Sequence, residues 1–521
     1  MRTKNTIKNI YSGILLQGLI VILGFVSRKI FIDVMGIELL GINAVLVSVL
    51  SMLSLLELGI GSAIYYSLYK PLAEEDTDQV KAIMDLYSKI YKYIGALVAV
   101  IGLILLPFLR FFMEEEVKVG MPYVRVIYLI FLTDSVISYF LAYRRNILSA
   151  DQKNYVLNKY SVVFTVFTYV SQILIIYYTK NFILYLLVKL VLMVIQNIMI
   201  YQKTNKEYPY LKSKEKKVLN KDIKDELVKN IKALFLVNIA VYCVFSTDNL
   251  LISMFAGLTA AGLYSNYYLI INTINTLMAQ VFQGIKSSFG NFLVEKSKEE
   301  AHKVFEVIYF LNFWIMTFCA ISFIVLLNPF ISKIWLHDDS MLFPMIMIIV
   351  LVYNFYARGM TNAIEVVRNG AGMYSPYPFF KYWSIIEGIV NLIASVILAG
   401  VLNLGIIGVF IGTAISTCIT VFVLPWNVYK YVFNMSSKIY YLKYALYNVL
   451  TVILCVVTYF SANFIKIDNA YLQFIINALC CIIIPNIIIL VLFSRTKEMR
   501  YLSEKFKIKE VIRKKRGAKN V

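Results

Sequence analysis

The chain has 521 residues, of which 60% are hydrophobic and only 16% are charged. Soluble globular proteins average about 45–50% apolar and about 25% charged residues, so this composition excludes a soluble enzyme and a disordered chain. Two histidines and six scattered cysteines suggest neither a histidine-based metal site nor a disulfide framework, and we expect no metal and no cofactor. The composition predicts an all-α protein that crosses a membrane many times.

Apolar segments long enough to span a bilayer, which requires about 20 mainly apolar residues, recur along the whole chain. We predict about 14 transmembrane helices, at 10–34, 39–66, 87–108, 121–143, 158–178, 182–202, 231–256, 263–286, 304–327, 343–365, 380–402, 405–429, 446–463 and 471–494. The final two are the most uniformly apolar, which is typical of helices that contact lipid.

Basic residues concentrate in alternate loops, and the positive-inside rule then places both termini in the cytoplasm. The predicted inner segments hold roughly forty Lys and Arg, against about five in the outer loops. These inner segments are 1–9, 67–86, 144–157, 203–230, 287–303, 366–379, 430–445 and 495–521. This distribution explains the net charge of +20 without a nucleic-acid partner.

The outer loops are short, which disfavours a membrane glycosyltransferase or polymerase. Their only cluster of metal-ligand residue types is His337, Asp338 and Asp339, and a solvated turn explains it better than a metal site. No spacing indicates a nucleophile–histidine pair or a phosphate loop, so we expect no enzyme activity.

An internal repeat becomes visible when the sequence is shifted by 221 residues. Gly36 and Gly41 then align with Gly257 and Gly262, where the second span of each half begins. Six helices separate the copies, and this even number predicts a parallel, two-lobed repeat of the kind that carriers use. The predicted domains are a six-helix lobe at 1–202, a basic cytoplasmic linker at 203–228, a second six-helix lobe at 229–430, a terminal helix pair at 431–494 and a basic cytoplasmic tail at 495–521.

Basic side chains inside the predicted spans indicate function, because each costs about 2.5–3.5 kcal/mol on insertion scales. Arg28 lies in the outer half of span 1, Arg358 deep on the inner side of span 10, and Lys189 in span 6. We predict that these three bind an anionic headgroup, since the Arg fork binds phosphate oxygens bidentately and stays charged. The alternative is a buried pair of Arg28 with Asp134 or Asp248.

Acidic and amide side chains complete the set of candidates. Buried carboxylates can carry a proton or help to bind Na⁺, or they can serve as counter-ions of neighbouring cations. The candidates for this role are Glu57, Asp134, Asp248 and Glu387. Amides in the predicted spans can contact a sugar or bond neighbouring helices. The candidate sugar contacts are Asn249, Asn266, Asn272 and Gln280.

Several of these stretches resemble a known family. They are 28–31 (RKIF), 36–41 (GIELLG), 57–61 (ELGIG) and 67–74 (SLYKPLAE) in the first half, with 247–253 (TDNLLIS) and 262–267 (GLYSNY) in the second. The combination resembles polysaccharide exporters, the Wzx-type flippases of the multidrug/oligosaccharidyl-lipid/polysaccharide (MOP) superfamily. In that family basic cavity residues serve the anionic diphosphate-sugar, and Arg28 is the position that matches best.

The resemblance implies a flippase of the bacterial cytoplasmic membrane that works by alternating access, with H⁺ or Na⁺ coupling as one option. It would move undecaprenyl-diphosphate-linked oligosaccharide repeat units from the inner to the outer leaflet for capsule or exopolysaccharide synthesis. Its partners would be this lipid-linked substrate, membrane lipids, a polysaccharide polymerase and other assembly proteins. The alternatives are a MATE-like multidrug or small-solute exporter, and a lipid II flippase of peptidoglycan synthesis.

Overall fold

The computed structural model describes residues 2–57, 60–113, 117–213, 215, 217, 219, 247–371 and 379–505. The predicted span 231–256 lies mostly outside these residues, as do parts of the predicted linker and tail.

The described residues are almost entirely helical and contain no β-strand. The α-helices are α1 (Arg2–Met35), α2 (Ile37–Leu53), α3 (Ile60–Ala73), α4 (Thr77–Leu105), α5 (Met121–Ala142), α6 (Arg145–Ala150), α7 (Asn154–Thr179), α8 (Phe182–Glu207), α9 (Asp248–Glu295), α10 (Lys298–Pro329), α11 (Met345–Met360), α12 (Asn362–Gly370), α13 (Phe379–Val396), α14 (Gly405–Val428), α15 (Lys438–Phe464), α16 (Ala470–Phe493) and α17 (Lys497–Lys505).

Ten stretches among the described residues are helical, long and apolar enough to cross a membrane. They correspond to ten of the predicted spans. Of the remaining four, one is the span at 231–256. The other three are helical but interrupted or polar, at 39–66, 263–286 and 343–365.

The interruptions coincide with polar residues. The helical segment predicted at 39–66 is broken by a 3₁₀ turn at Ser54–Glu57, where the Ser54 hydroxyl donates to the carbonyl of Ser51 at 2.7 Å. Such local side-chain bonds compete with the helical backbone pattern. Thr361 separates α11 from α12, and its hydroxyl donates to the carbonyl of Arg358 at 2.7 Å. Each break lies at or near an ionisable residue, Glu57 at the first and Arg358 at the second.

The long helices expose apolar side chains rather than burying them. On α15, Leu442 and Phe460 are 71% and 68% exposed, and on α16 Val491 is 67% exposed. Water-soluble monomers rarely expose large apolar patches. These faces are suited to contact lipid hydrocarbon.

The chain forms two compact units. The first contains Met1–Asn266 and Val396–Val409, and in it α1 packs on α7, α7 on α8, and α5 on both α4 and α8. The second contains Tyr267–Ser395 and Phe410–Val521, and in it α10 packs on α11, α15 and α16. The predicted division into lobes at 1–202 and 229–430 stays a prediction.

The glycines that the 221-residue shift aligns share one backbone conformation. Gly36 has φ 82° and ψ 167°, and Gly257 has φ 86° and ψ 169°, values that only glycine adopts without strain. Each one turns the chain from one helical segment into the next, so that α9 is kinked at Gly257. The repeat therefore extends to the geometry of these junctions.

Gly41 and Gly262 form a reciprocal close contact within the first unit. A Cβ on Gly41 would overlap the carbonyl oxygen of Leu258, and a Cβ on Gly262 would lie 2.5 Å from the carbonyl oxygen of Ile37. The shift of 221 residues also relates Ile37 to Leu258, so the two contacts mirror each other. The start of α2 therefore crosses α9 backbone to backbone, which only glycine permits at these positions.

Candidate substrate and coupling sites

Arg28 on α1 is held by neutral acceptors on α9, just after the glycine crossing. Its Nη1 donates to the carbonyl and hydroxyl oxygens of Ser265 at 3.1 and 3.0 Å, and to Oδ1 of Asn266 at 3.5 Å. The Ser265 hydroxyl in turn donates to the carbonyl of Gly262 at 2.7 Å. The close approach at Gly262 thus positions the partners of Arg28.

The guanidinium of Arg28 keeps donors available. Its Nε and Nη2 donate no hydrogen bond to the described residues, and the side-chain nitrogen of the buried Asn266 also lacks a partner there. The phenols of Tyr169 on α7 and Tyr185 on α8 lie near enough to interact electrostatically with the charge. Arg28, Asn266 and the two phenols therefore make a donor-rich cluster inside one unit, the Arg28 cluster.

The alternative ion pair of Arg28 with Asp134 or Asp248 is not formed among the described residues. Asp134 on α5 instead pairs with Lys189 on α8 at 3.5 Å, and Lys189 also lies 5.6 Å from the ring centroid of Phe131. Lys189, a predicted headgroup ligand, is thus already neutralised by a carboxylate. This pairing is compatible with the counter-ion interpretation of Asp134.

Asp248 and Asn249 begin α9 and have polar partners in the first unit. The Tyr264 hydroxyl donates to Asp248 Oδ2 at 3.1 Å, and the Asn249 amide donates to the Ser48 hydroxyl at 3.4 Å. The shift of 221 residues aligns Asn249 with Arg28. Both side chains therefore occupy the same place in the repeat and bond polar groups on another helix.

Glu57 is a predicted coupling residue whose hydrogen-bond partners among the described residues are phenols. It lies in the 3₁₀ turn after α2, where the Tyr91 hydroxyl donates to its Oε1 and Tyr139 also hydrogen-bonds the carboxylate. Tyr87 packs against Tyr91 with ring centroids 4.3 Å apart, and Asn146 bonds the Tyr87 hydroxyl. Glu57 forms no ion pair with a described residue, so phenols are its principal partners.

Arg358 in the second unit has the opposite kind of environment. Its Nη1 donates to Glu387 Oε1 at 2.7 Å, and the Thr420 hydroxyl donates to Glu387 Oε2 at 2.5 Å. The Glu387 side chain is 4% exposed and that of Arg358 is 26% exposed. Together with Thr420, the pair links α11, α13 and α14. The Glu387 carboxylate neutralises the positive charge of Arg358.

Sequence reasoning missed two cations that lie near this pair. Glu365 on α12 forms an ion pair with Arg368 at 3.7 Å and interacts electrostatically with Arg358 and Lys286. Arg368 lies outside the predicted span 343–365, and Lys286 is the last residue of the span at 263–286. Neither was therefore considered as a cation inside a span, although three helices bring them to one cluster.

The predicted sugar contacts separate into buried and exposed groups. Asn266 is fully buried beside Arg28, whereas Asn272 and Gln280 are exposed on α9, together with Asn275 and Gln283. Exposed amides at this helical spacing cannot hydrogen-bond hydrocarbon, so this face of α9 is suited to line a water-filled space. Its polarity also explains why α9 is not among the ten apolar spans.

The acidic outer cluster forms a capped turn. Asp338 Oδ1 accepts a hydrogen bond from the Ser340 backbone nitrogen at 2.8 Å, and Asp339 pairs with Lys333 at 2.7 Å. The hydrogen bond from Lys333 holds the pKa of the Asp339 carboxyl below its ordinary value.

The comparisons with known proteins agree with this architecture. The sequence profile of the family described as "Polysaccharide biosynthesis protein" matches residues 6–285. No curated protein sequence matches the chain significantly.

Solved structures with the same fold are transporters. The lipid II flippase MurJ in an inward closed conformation superimposes with a TM-score of 0.63 at 15% identity, covering 94% of this chain and 99% of that one. An inward-facing multidrug resistance MATE transporter of the MOP superfamily gives 0.57 at 15% identity, covering 78% and 92%. A MOP superfamily transporter from Pyrococcus furiosus gives 0.53 at 13% identity, covering 81% and 94%. At these identities the similarity establishes the fold, which is that of a multi-pass membrane transporter.

Proposed function

Because this chain belongs to the polysaccharide biosynthesis protein family and has the MOP transporter fold, we propose that it is a lipid-linked oligosaccharide flippase. Its substrate would be an undecaprenyl-diphosphate-linked repeat unit, moved by alternating access from the inner to the outer leaflet of the bacterial cytoplasmic membrane. The product would supply capsule or exopolysaccharide synthesis. A polymerase and other assembly proteins would use it next.

One observation carries the assignment of substrate class, namely the environment of Arg28. Its partners are a carbonyl, a hydroxyl and an amide oxygen, so no carboxylate among the described residues cancels the positive charge within hydrogen-bonding distance. An uncompensated guanidinium inside a membrane protein is costly and is suited to an anionic ligand. Its two remaining donor nitrogens can bind phosphate oxygens bidentately.

The exposed amides of α9 support a sugar in the transported headgroup. Asn272, Asn275 and Gln280 offer donors and acceptors that neutral sugar hydroxyls can match without a change in charge. A multidrug exporter for lipophilic cations would need carboxylates on such a face instead. The description of the Pyrococcus furiosus transporter likewise connects the reverse polarity of its binding pocket with a different function.

For ion coupling we propose Glu57, with Asp248 as a second site. Among the four candidate carboxylates, Asp134 and Glu387 are held by Lys189 and Arg358, so they serve as counter-ions. Glu57 instead accepts hydrogen bonds from phenols, which can stabilise either the carboxylate or a bound H⁺ or Na⁺. Replacing Glu57 with Gln should leave export insensitive to the proton or sodium gradient.

Depletion of the protein in its native host tests the proposal. We expect lipid-linked repeat units to accumulate, measured by mass spectrometry, while surface polysaccharide is lost. Wild-type protein should restore export, Arg28→Ala should not, and Arg28→Lys should restore part of it. Arg125→Ala is the matched control, because Arg125 is an exposed arginine on α5.

Three results would contradict the proposal. Unchanged lipid intermediates with intact surface polymer would exclude a role in export. Accumulation of lipid II alone would assign the protein to peptidoglycan synthesis. Hypersensitivity to drugs without any change in polysaccharide would favour a multidrug or small-solute exporter.

A further inference from the structure

A basic crevice lies between the end of α8 and the start of α7, in the first unit. Its volume is about 850 Å³, and its wall includes Lys159, Lys203 and Lys206 beside Tyr155 and Met199. Both helix ends belong to segments that the distribution of basic residues predicts to be cytoplasmic, at 144–157 and 203–230. The crevice would therefore open at the inner surface of the membrane.

The lysines of the crevice carry an excess of positive charge. Lys159 and Lys206 form no ion pair with a described residue, and Lys203 lies 3.5 Å from Glu207. Glu207 is the only acidic residue of the wall among those that the structure describes, and it is also bound by Lys153 at 2.7 Å. Burial alone would lower the pKa of Lys153, but its hydrogen bonds to Asp151 and Glu207 raise it, so Lys153 stays charged. The one carboxylate is thus shared, and two ammonium groups remain uncompensated.

A fourth cation approaches the same place from α1. The ammonium of Lys8 lies 4.9 Å from the ring centroid of Tyr155, a residue of the crevice wall. Four lysines from three helices therefore converge around one opening.

Below the lysines, both helices present apolar side chains outward. On α7 these are Val163, Phe167, Val170 and Leu174, at helical spacing and 44–58% exposed. On α8 they are Met199, Ile195 and Val191, which are 41–54% exposed. A basic mouth that continues into a lipid-facing apolar surface matches the two parts of a phospholipid, its phosphate and its acyl chains.

We propose that this crevice binds the phosphate headgroup of an anionic glycerophospholipid of the inner leaflet, with its acyl chains along α7 and α8. Lys159, Lys203 and Lys206 contact the phosphate, and Lys8 adds long-range attraction. Bound lipid would connect the ends of α7 and α8 and stabilise this hairpin. The site shares no residue with the Arg28 cluster and does not depend on the proposed export function.

Lipid binding to the purified full-length chain tests this site. The delipidated protein in neutral detergent is titrated with phosphatidylglycerol or phosphatidylcholine, and bound lipid is counted by native mass spectrometry while thermal unfolding is followed in parallel. We expect phosphatidylglycerol, but not phosphatidylcholine, to bind and to raise the melting temperature. The variant Lys159→Ala/Lys203→Ala/Lys206→Ala should bind at least about tenfold more weakly.

The matched control removes three other lysines from a predicted inner segment, as Lys296→Ala/Lys298→Ala/Lys303→Ala, and should bind normally. Replacing the three crevice lysines with Arg should preserve binding, which separates loss of charge from misfolding. Equal phosphatidylglycerol binding by the crevice Ala variant and wild type would overturn the proposal.

Two further probes distinguish the source of the phosphate. If inorganic phosphate alone reproduces the thermal shift, the site binds free phosphate and the lipid assignment is wrong. If undecaprenyl diphosphate binds here in preference to phosphatidylglycerol, the crevice is a docking site for the substrate lipid, which also overturns the proposal. Either of these two outcomes would overturn the lipid proposal without changing the result of depleting the protein in its native host.

Discussion

Arg28 and Arg358 are both guanidinium groups within predicted spans, but their partners differ in kind. Arg28 is bonded to neutral oxygens of Ser265 and Asn266, whereas Arg358 is bonded to the buried carboxylate of Glu387. A neutral acceptor leaves the positive charge available to a ligand, and a carboxylate cancels it. We therefore propose different roles for the two arginines: Arg28 would bind an anion, and Arg358 would hold α11 against α13.

The largest effect on stability should follow the loss of Arg358. Arg358→Ala leaves the Glu387 carboxylate buried without its counter-ion, which should destabilise the protein by about 3–5 kcal/mol. Replacing both residues, as Arg358→Ala/Glu387→Ala, removes the stranded charge and should recover much of that loss. Thermal unfolding of the purified proteins in detergent measures both. A double variant no more stable than Arg358→Ala would show that the pair does not act as a unit.

Gly41→Ala should have the second-largest effect on stability. The new methyl group would collide with the backbone oxygen of Leu258, which cannot move without separating α2 from α9, so we expect about 1–3 kcal/mol of destabilisation. Gly18→Ala is the control, because a Cβ there meets nothing within 4 Å and should stabilise α1 slightly. The Arg358–Glu387 pair should be unaffected. Equal melting temperatures of the two variants would contradict the close crossing.

Arg28→Ala should separate stability from function. It removes hydrogen bonds to neutral groups and leaves no buried charge behind, so the cost to stability should be only about 1 kcal/mol. Export should nevertheless be lost, because the charge that binds the diphosphate is gone. Melting temperature and surface polysaccharide, measured on the same variant, test this. A loss of stability as large as that of Arg358→Ala would indicate a structural role for Arg28.

The smallest effect on stability is expected at an exposed ion pair whose N–O distance equals that of Arg358 and Glu387. Lys333 and Asp339 are also 2.7 Å apart, but solvent screens them, so Lys333→Ala should not change the melting temperature at neutral pH. Because Lys333 lowers the pKa of Asp339, any stabilisation is present above the ordinary carboxyl pKa and is lost as the pH falls. NMR titration of Asp339 should show its pKa rising in the variant. An unchanged pKa would show that the pair does not form in solution.

The sequence predicted most of the helices, because long runs of apolar residues are a strong local signal for membrane-spanning helices. It also predicted that Gly36 and Gly257 occupy equivalent junctions between spans, because both glycines recur at the same place in the repeat. Gly36 and Gly257 take the same left-handed conformation, although the two halves share little other identity. The break at Ser54–Glu57 was not predicted, since the surrounding residues are as apolar as those of an unbroken span. At this break a neighbouring helix supplies a hydrogen-bond partner for Glu57, the hydroxyl of Tyr91.

The partners of the charged residues depend on which helices are neighbours, and no local pattern encodes this. The sequence offered Asp134 and Asp248 as counter-ions of Arg28, but Asp134 meets Lys189 because α5 packs on α8. Glu387 lies within a predicted span, but its ion pair with Arg358 and its hydrogen bond from Thr420 require three helices to converge. The sequence therefore supplied the candidate residues, and packing among the described residues showed that Arg28 has neutral partners whereas Arg358 is paired with a carboxylate.

Binding of a lipid diphosphate tests this distinction most directly. Undecaprenyl diphosphate is titrated against the full-length protein in phosphatidylcholine nanodiscs, comparing wild type with Arg28→Ala and with Arg358→Ala/Glu387→Ala. Removal of the charged hydrogen bonds of Arg28 should weaken binding by at least about tenfold, and the double variant should bind within about twofold of wild type. Undiminished binding by Arg28→Ala, or a larger loss in the double variant, would contradict the assignment of Arg28 as the headgroup site.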